Sequence, residues 1–203
     1  MRHIAMASPY VAILAGLHWL GSAWVTILLY HAGLLLYMLC TRTNHRGRRL
    51  LAGWNTRAGA AVSVLCAGSG PLLVLLWPAI ARENSRLASS LISLGLDGAS
   101  WWLFVVYYVG VHPIIEEVFW RGVQSSGRRG ISIADIAFAG YHALVLPFFV
   151  RGLWVLVVSV ILMLVAWFWR RLATRYDGLA IPIASHAIAG LSTMAATGVL
   201  IDG

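Results

Sequence analysis

The stretch HPIIEEVFWRG, residues 112–122, sets two adjacent glutamates in a run that otherwise reads as the end of a membrane helix. The 203-residue chain has only three glutamates, and the third, Glu83, falls in a polar connector, so Glu116 and Glu117 are not the overflow of an acidic surface. Around them the composition is that of an integral membrane protein: 60% of residues are hydrophobic, 11% are charged, and ten are tryptophan. Ionisable groups in lipid are costly and mark function by default. The pair therefore calls for partners.

A membrane span needs about 20 apolar residues, and six runs approach that length: Pro9–Leu39, Ala58–Ile80, Ala99–Gly122, Ile131–Val150, Leu153–Trp169 and Leu179–Ile201. The first is long enough to be tilted or broken, and the fifth is barely long enough to cross. The expected fold is all-α, a polytopic membrane helix bundle of about six spans forming one transmembrane domain over residues 1–203. The N-terminal MRHIAMASPYVAILAGL starts as a signal peptide would, but its apolar run continues to about Cys40, which predicts an uncleaved first span. Small residues in AGAAVSVLCAGSG, 58–70, suit close helix contact in lipid. Cys40 and Cys66 have no metal or redox spacing and are expected to be small packing residues.

All fifteen basic residues are arginine, for a formal charge of +8. They cluster between apolar runs and form no stripe interleaved with aromatics, so no nucleic-acid partner is expected. Arg42, Arg46, Arg48, Arg49, Arg57, Arg128, Arg129, Arg170, Arg171 and Arg175 fall to one side of the membrane, against Arg2, Arg82, Arg86 and Arg151 on the other. The positive-inside rule then puts both termini outside and the Glu116 end of the third span at the cytoplasmic face.

On a helix, Glu117 and Arg121 are four apart with the acid N-terminal, the favourable order for an ion pair, while Glu116 points about 100° away. One glutamate is thus expected to be paired and the other free to act as a general base if something polar shares its site. In the fourth run, Ser132 and Asp135 fit a capping box, and Phe138 and His142 lie four apart on one face. In the sixth, His186 follows a loop by a few turns. At 1.5 Å per residue Glu116 lies ~9 Å from its loop, His186 ~10 Å and His142 ~16 Å, with all three loops on one side, so the three groups can converge. His112, a turn before Glu116 on the same face, is expected to support Glu116 from behind. His18 and His31 are expected to pack or to lie at the interface. The tryptophans at 101–102 and 167–169 read as interfacial belts. Asp97, Asp177 and Asp202 are expected in solvated loops or at the terminus.

PIIEEVFWRG resembles the EExxxR motif of the CPBP family, which comprises the CAAX prenyl protease 2 type and the bacteriocin-processing glutamic intramembrane proteases. FAGYH, 138–142, is similar to its FxxxH second motif, and the stretch from Thr174 through Leu179 and Pro182 to His186 is similar to its third. The likeness covers about residues 99–203; the first two spans carry none of it. It implies an intramembrane endopeptidase without a cofactor, acting on a peptide or protein substrate that is lipidated or membrane-anchored in some members. Membrane lipids would surround it, in a bacterial inner membrane with the active-site loops toward the cytoplasm. By the same resemblance Glu116 would be the base that activates water with His142, Glu117 would bond Arg121 and hold the helix end in shape, His186 would stabilise the oxyanion, and Phe138 would orient His142. Prenyl-protease members carry an asparagine four residues after the third-motif histidine. Here that position is Gly190, which implies one oxyanion donor fewer.

Rival readings use the same residues differently. A serine protease would pair Ser69 with His186, but a GxSG signature fails at Ala67 and leaves Glu116, Glu117, Arg121 and His142 idle. A zinc peptidase would collect His112, Glu116, His142 and His186, without HExxH spacing. A proton-coupled carrier, or an immunity or scaffold protein that keeps the fold without catalysis, would use the buried charges otherwise.

Overall fold

The computed structural model describes residues 5–41, 50–82 and 87–202. Glu83, Arg2, Arg42, Arg46, Arg48, Arg49 and Arg86, several of which enter the orientation argument, lie outside the described residues, as does the side chain of Asp202. The described residues form helices and no named strand; one antiparallel bridge joins Ala81 to Val150. The helices are α1 (Ser8–Ile13, continued by a π-helical turn Leu14–Trp19), α2 (Ala23–Cys40), α3 (Thr56–Ile80), α4 (Leu87–Ser93), α5 (Gly98–Val123), α6 (Ile133–Phe148), α7 (Gly152–Arg175) and α8 (Ala180–Ile201). Five of them, α2, α3, α5, α7 and α8, are long and apolar enough to cross a membrane. Side chains such as Leu75, Val106 and Leu153 stay more than two-thirds exposed on their outer faces, as lipid contact requires.

Three spans differ from the lengths read in the sequence. The long first run is broken: the Leu20 N–H closes on Ala15 O, Gly21 takes a left-handed backbone (φ 60°) that a side chain would resist, and the Ser22 side chain caps α2 by accepting from the Val25 N–H. The chain then turns back, so α1 lies against α2 and α6, and Tyr10 Oη donates to Ala137 O at 2.9 Å. The fourth run gives a shorter apolar helix, Ile133–Phe148, because the Ser132 box starts it late and Pro147 tightens its end. The fifth is not marginal: α7 has 24 residues, extending past Trp169 through Arg170 and Arg171 to Arg175.

The extension has a cause. Arg170 is buried (1% exposed) and is not a loop cation as the charge count supposes. Its guanidinium grips Asp135, Nε to Oδ1 at 3.0 Å and Nη2 to Oδ2 at 2.7 Å, and also donates to the carbonyls of Arg128 and Gly130, each at 2.6 Å. Asp135 in turn accepts from the Ser132 N–H and hydroxyl, completing the expected capping box. One arginine thus fixes the start of α6, the connector before it and the end of α7. On the opposite side α3 and α8 touch through their backbones: a Cβ on Gly70 would sit 2.2 Å from Ser192 O, and Ser192 Oγ accepts from the Gly70 N–H and donates to Ala67 O. Ser69 bonds Ala189 O and the Thr193 hydroxyl, so it is spent on helix contact and does not meet His186.

Removing the guanidinium would strand a buried carboxylate and the carbonyls of Ser126, Arg128 and Gly130, so Arg170→Met should cost about 3–5 kcal/mol. The check is thermal unfolding in detergent. An unfolding temperature equal to the parent's would show that this clasp does not hold the bundle together.

Candidate functional site

Glu116 and Glu117 sit where α5 changes its winding. Pro113 occupies the first turn of an α-helical segment, His112–Glu117, and the next turn, Val118–Val123, is π-helical, with the Gln124 N–H on Phe119 O at 2.8 Å. A wider turn of this kind re-aims side chains relative to a uniform helix and recurs at functional sites. The helical spacing predicts one paired and one free carboxylate. The structure buries both completely and gives each its own partners.

Glu117 Oε1 lies 3.1 Å from Arg121 Nη1, the pair expected from the i, i+4 spacing. It also accepts from His186 Nδ1 at 2.9 Å, which fixes the proton of that ring on Nδ1. Arg121 is itself buried between aromatic faces, its guanidinium carbon 4.2 Å from the Phe138 ring centroid and 5.2 Å from that of Trp169. Trp169 stacks on His186, with centroids 4.6 Å apart. It is therefore no interfacial belt residue, unlike Trp102, which is 68% exposed. An ion pair in α5 thereby binds α6, α7 and α8 at once.

Glu116 is not free. Its Oε1 accepts from the hydroxyls of both Tyr30 and Tyr141, and Trp120 Nε1 donates to Tyr30 Oη at 3.0 Å. Its Oε2 has no hydrogen-bond partner among the described residues, yet lies 3.4 Å from His112 Nε2 and 3.6 Å from His186 Nε2. The His186 ring therefore bridges the two carboxylates, one nitrogen toward each. His142 comes from α6 and is half-buried. Its Nδ1 lies 2.8 Å from Phe138 O, and since a carbonyl only accepts, Nδ1 holds the proton and Nε2 of the neutral ring keeps its lone pair. Phe138 packs on the same ring at 5.0 Å, so it positions His142 by both its carbonyl and its face. No hydrogen bond joins His142 to Glu116. They are linked through Tyr141, whose ring stacks on His142 with centroids 4.1 Å apart while its hydroxyl holds the carboxylate.

The structure thus brings Glu116, Glu117, Arg121, Phe138, His142, His186 and His112 together. Gly190 lies on the same helix as His186, beside Tyr108, which stacks on His112. His112 is closer to Glu116 than its expected supporting place. His31 corrects the reading of packing or interface: it is 2% exposed and bonds His112. His18 holds Leu144 O at 2.8 Å, as a packing group would. Tyr30, Tyr141 and Trp169 escape the sequence analysis. The signal for the first was the Tyr30-His31 pair in the middle of an apolar run, ILLYHAGLL. For a cation, the ligand atoms of His112, Glu116 and His186 lie within 4.8 Å of one another, and the unbonded Glu116 Oε2 faces both rings. Three such donors suit zinc in number and type; His142 is not among them.

A helical membrane bundle with paired buried carboxylates and histidines from separate helices is the class that fold and site define. Residues 98–192 match the family model of the type II CAAX prenyl endopeptidase Rce1-like proteins. Over this stretch the resemblance drawn from the three motifs is borne out. No curated protein and no solved structure matches the chain.

Breaking the Glu117 cluster should cost more than a surface ion pair. Glu117→Gln and Arg121→Ala each leave a buried mate uncompensated, at about 3–5 kcal/mol. Both variants should melt earlier in detergent, and any peptidase activity should fall with them. Melting curves that superimpose on the parent's would mean the pair does not form.

Proposed function

We propose that the chain is an intramembrane endopeptidase of the glutamic type, in which Glu116 and His142 activate water. The observation that carries this is the division of labour at Glu116: Oε1 is occupied by two tyrosine hydroxyls, while Oε2 has no hydrogen-bond partner among the described residues, and His142, whose ring stacks on Tyr141, keeps an unprotonated Nε2. A water between these acceptors would lose a proton to Glu116 Oε2 as its oxygen attacks the scissile carbonyl. The oxyanion would be met by an Nε2–H of His186, whose ring Glu117 holds at Nδ1. The proton on Glu116 would then pass to the leaving amine. Glu117 and Arg121 hold His186, and Phe138 holds His142. Of the ten arginines assigned to the cytoplasmic side nine remain once Arg170 is removed, still more than the four opposite, which supports a cytoplasmic site. The membrane is read as a bacterial inner membrane. A prenylated C-terminus, a bacteriocin leader and a membrane-anchored sorting tail are the substrate classes the family allows.

The test uses the purified chain and two internally quenched peptides, one ending in a farnesylated CAAX sequence and one without lipid. Glu116→Gln keeps shape but cannot take the proton, and should abolish cleavage while the protein stays folded. Near-normal turnover in that variant would sink the mechanism. The cluster of His112, Glu116 and His186 favours one second reading, a zinc peptidase, and cleavage that survives a chelator would exclude it. A non-catalytic scaffold or carrier would cleave neither peptide in any variant.

Gly190 offers a gain-of-function check. A Cβ there would meet Tyr108 Cε1 at 3.4 Å and Cδ1 at 3.7 Å, ordinary contact, so asparagine can be seated one turn after His186. If the site runs one oxyanion donor short, Gly190→Asn should raise kcat, the ceiling being the factor of about 10² to 10³ that one donor supplies. Unchanged or slower turnover in a well-folded variant would show that the donor is already provided.

A further inference from the structure

We infer that Tyr30 and His31, on α2 and outside the family-matched segment, are positioning residues for the reaction proposed above, on which this inference rests. Tyr30 acts on one oxygen of Glu116 and His31 on the group facing the other. Buried Tyr30 donates to Oε1 together with Tyr141, and its own hydroxyl oxygen accepts from Trp120 Nε1, which leaves its proton to the carboxylate. With two donors on Oε1, the carboxylate cannot rotate to exchange its oxygens without losing both, so Oε2 is the oxygen kept for water.

His31 works through His112. His31 Nε2 lies 3.0 Å from His112 Nδ1, His31 Nδ1 lies 2.7 Å from Tyr107 Oη, and His112 Nε2 lies 3.4 Å from Glu116 Oε2. Only one arrangement of protons in neutral rings satisfies every contact. If His112 carried its proton on Nδ1, its Nε2 lone pair would face a carboxylate oxygen across 3.4 Å, a repulsion in a site with no bulk water to relieve it. The proton therefore sits on Nε2. His112 Nδ1 accepts from His31 Nε2, and His31 Nδ1 accepts from the Tyr107 hydroxyl. Tyr107 and His31 thereby select the tautomer that presents an N–H edge to Glu116. His31 is 2% exposed, and among the described residues its hydrogen-bonding partners are Tyr107 and His112.

Two readouts test the inference. Nitrogen NMR of histidine-labelled full chain in nanodiscs reads the tautomer without any substrate: His112 should be protonated at Nε2, and His31→Leu should lose that preference. His31→Gln, which returns an amide N–H at the position of Nε2, should restore it. In cleavage of whichever quenched peptide the parent turns over, Tyr30→Phe and His31→Leu should lower kcat by roughly 10-fold to 10²-fold with KM little changed, the scale of a misplaced reacting group. His31→Gln should recover most of the loss. A merely structural role would lower the melting temperature without the split between kcat and KM and without rescue by glutamine. Parental kcat in both Tyr30→Phe and His31→Leu, or His112 protonated at Nδ1, would overturn the inference. Cleavage that persists in Glu116→Gln would instead overturn the base assignment, and the tautomer result would stand independently of it.

Discussion

The cost of keeping two carboxylates out of water governs the architecture around them. An ionised group moved into a medium of low dielectric loses several kcal/mol of hydration even after relaxation, and the protein must return that through fixed dipoles and charges. Glu116 and Glu117 are both fully buried. The compensating groups come from three helices packed against α5, Tyr30 from α2, Tyr141 from α6 and His186 from α8, while Trp169 of α7 flanks Arg121. Helices in lipid gain little from apolar contact with one another, so a shared polar centre of this kind specifies their arrangement more sharply than leucine packing could.

Much of this was legible because lipid makes polarity conspicuous. Glu116, Glu117 and Arg121 stand out in an apolar run, the four-residue spacing announces the Glu117 pair, and Ser132 with Asp135 announces the start of α6; the structure contains both features. The existence of the helices followed from run length. Their exact extents did not. Arg170 looked like a loop cation because a sequence shows charge but not the buried aspartate 35 positions away that meets it. The break at Gly21 hides inside a continuous apolar run for a similar reason, since hydropathy is blind to a positive φ. The partners of Glu116 were illegible for a different reason: tyrosine and tryptophan count as ordinary membrane residues, and only geometry distinguishes a tyrosine that anchors a carboxylate from one at a lipid boundary.

The family match ends on the N-terminal side at residue 98, yet the carboxylate's surroundings do not. Tyr30 and His31 belong to α2, and α1 reaches α6 through Tyr10 and His18. The segment that carries the motifs is thus packed against helices that carry none, and those helices contribute Tyr30 to Glu116 itself and His31 to its neighbour His112. Motif residues define which atoms meet. The enclosing helices hold α6 in place and add Tyr30 beside Tyr141 on the same carboxylate oxygen, so groups outside the motifs take part in setting the same centre.

The two glutamates, neighbours in sequence, differ in what opposes their charge. Glu117 faces a permanent cation, because a guanidinium does not release its proton in a protein, and Arg121 is held over two aromatic rings where it cannot swing away. Glu116 faces groups that are neutral or can become so: two phenols and two imidazoles. None of these groups carries a fixed charge. In the reaction proposed above that difference suits Glu116, and not Glu117, to the part of the base, because a general base must gain and lose a proton at every turnover. The pairing of Glu117 with Arg121 thus does more than close a helix end. By committing one acid to a permanent partner, it distinguishes two carboxylates that the sequence sets side by side.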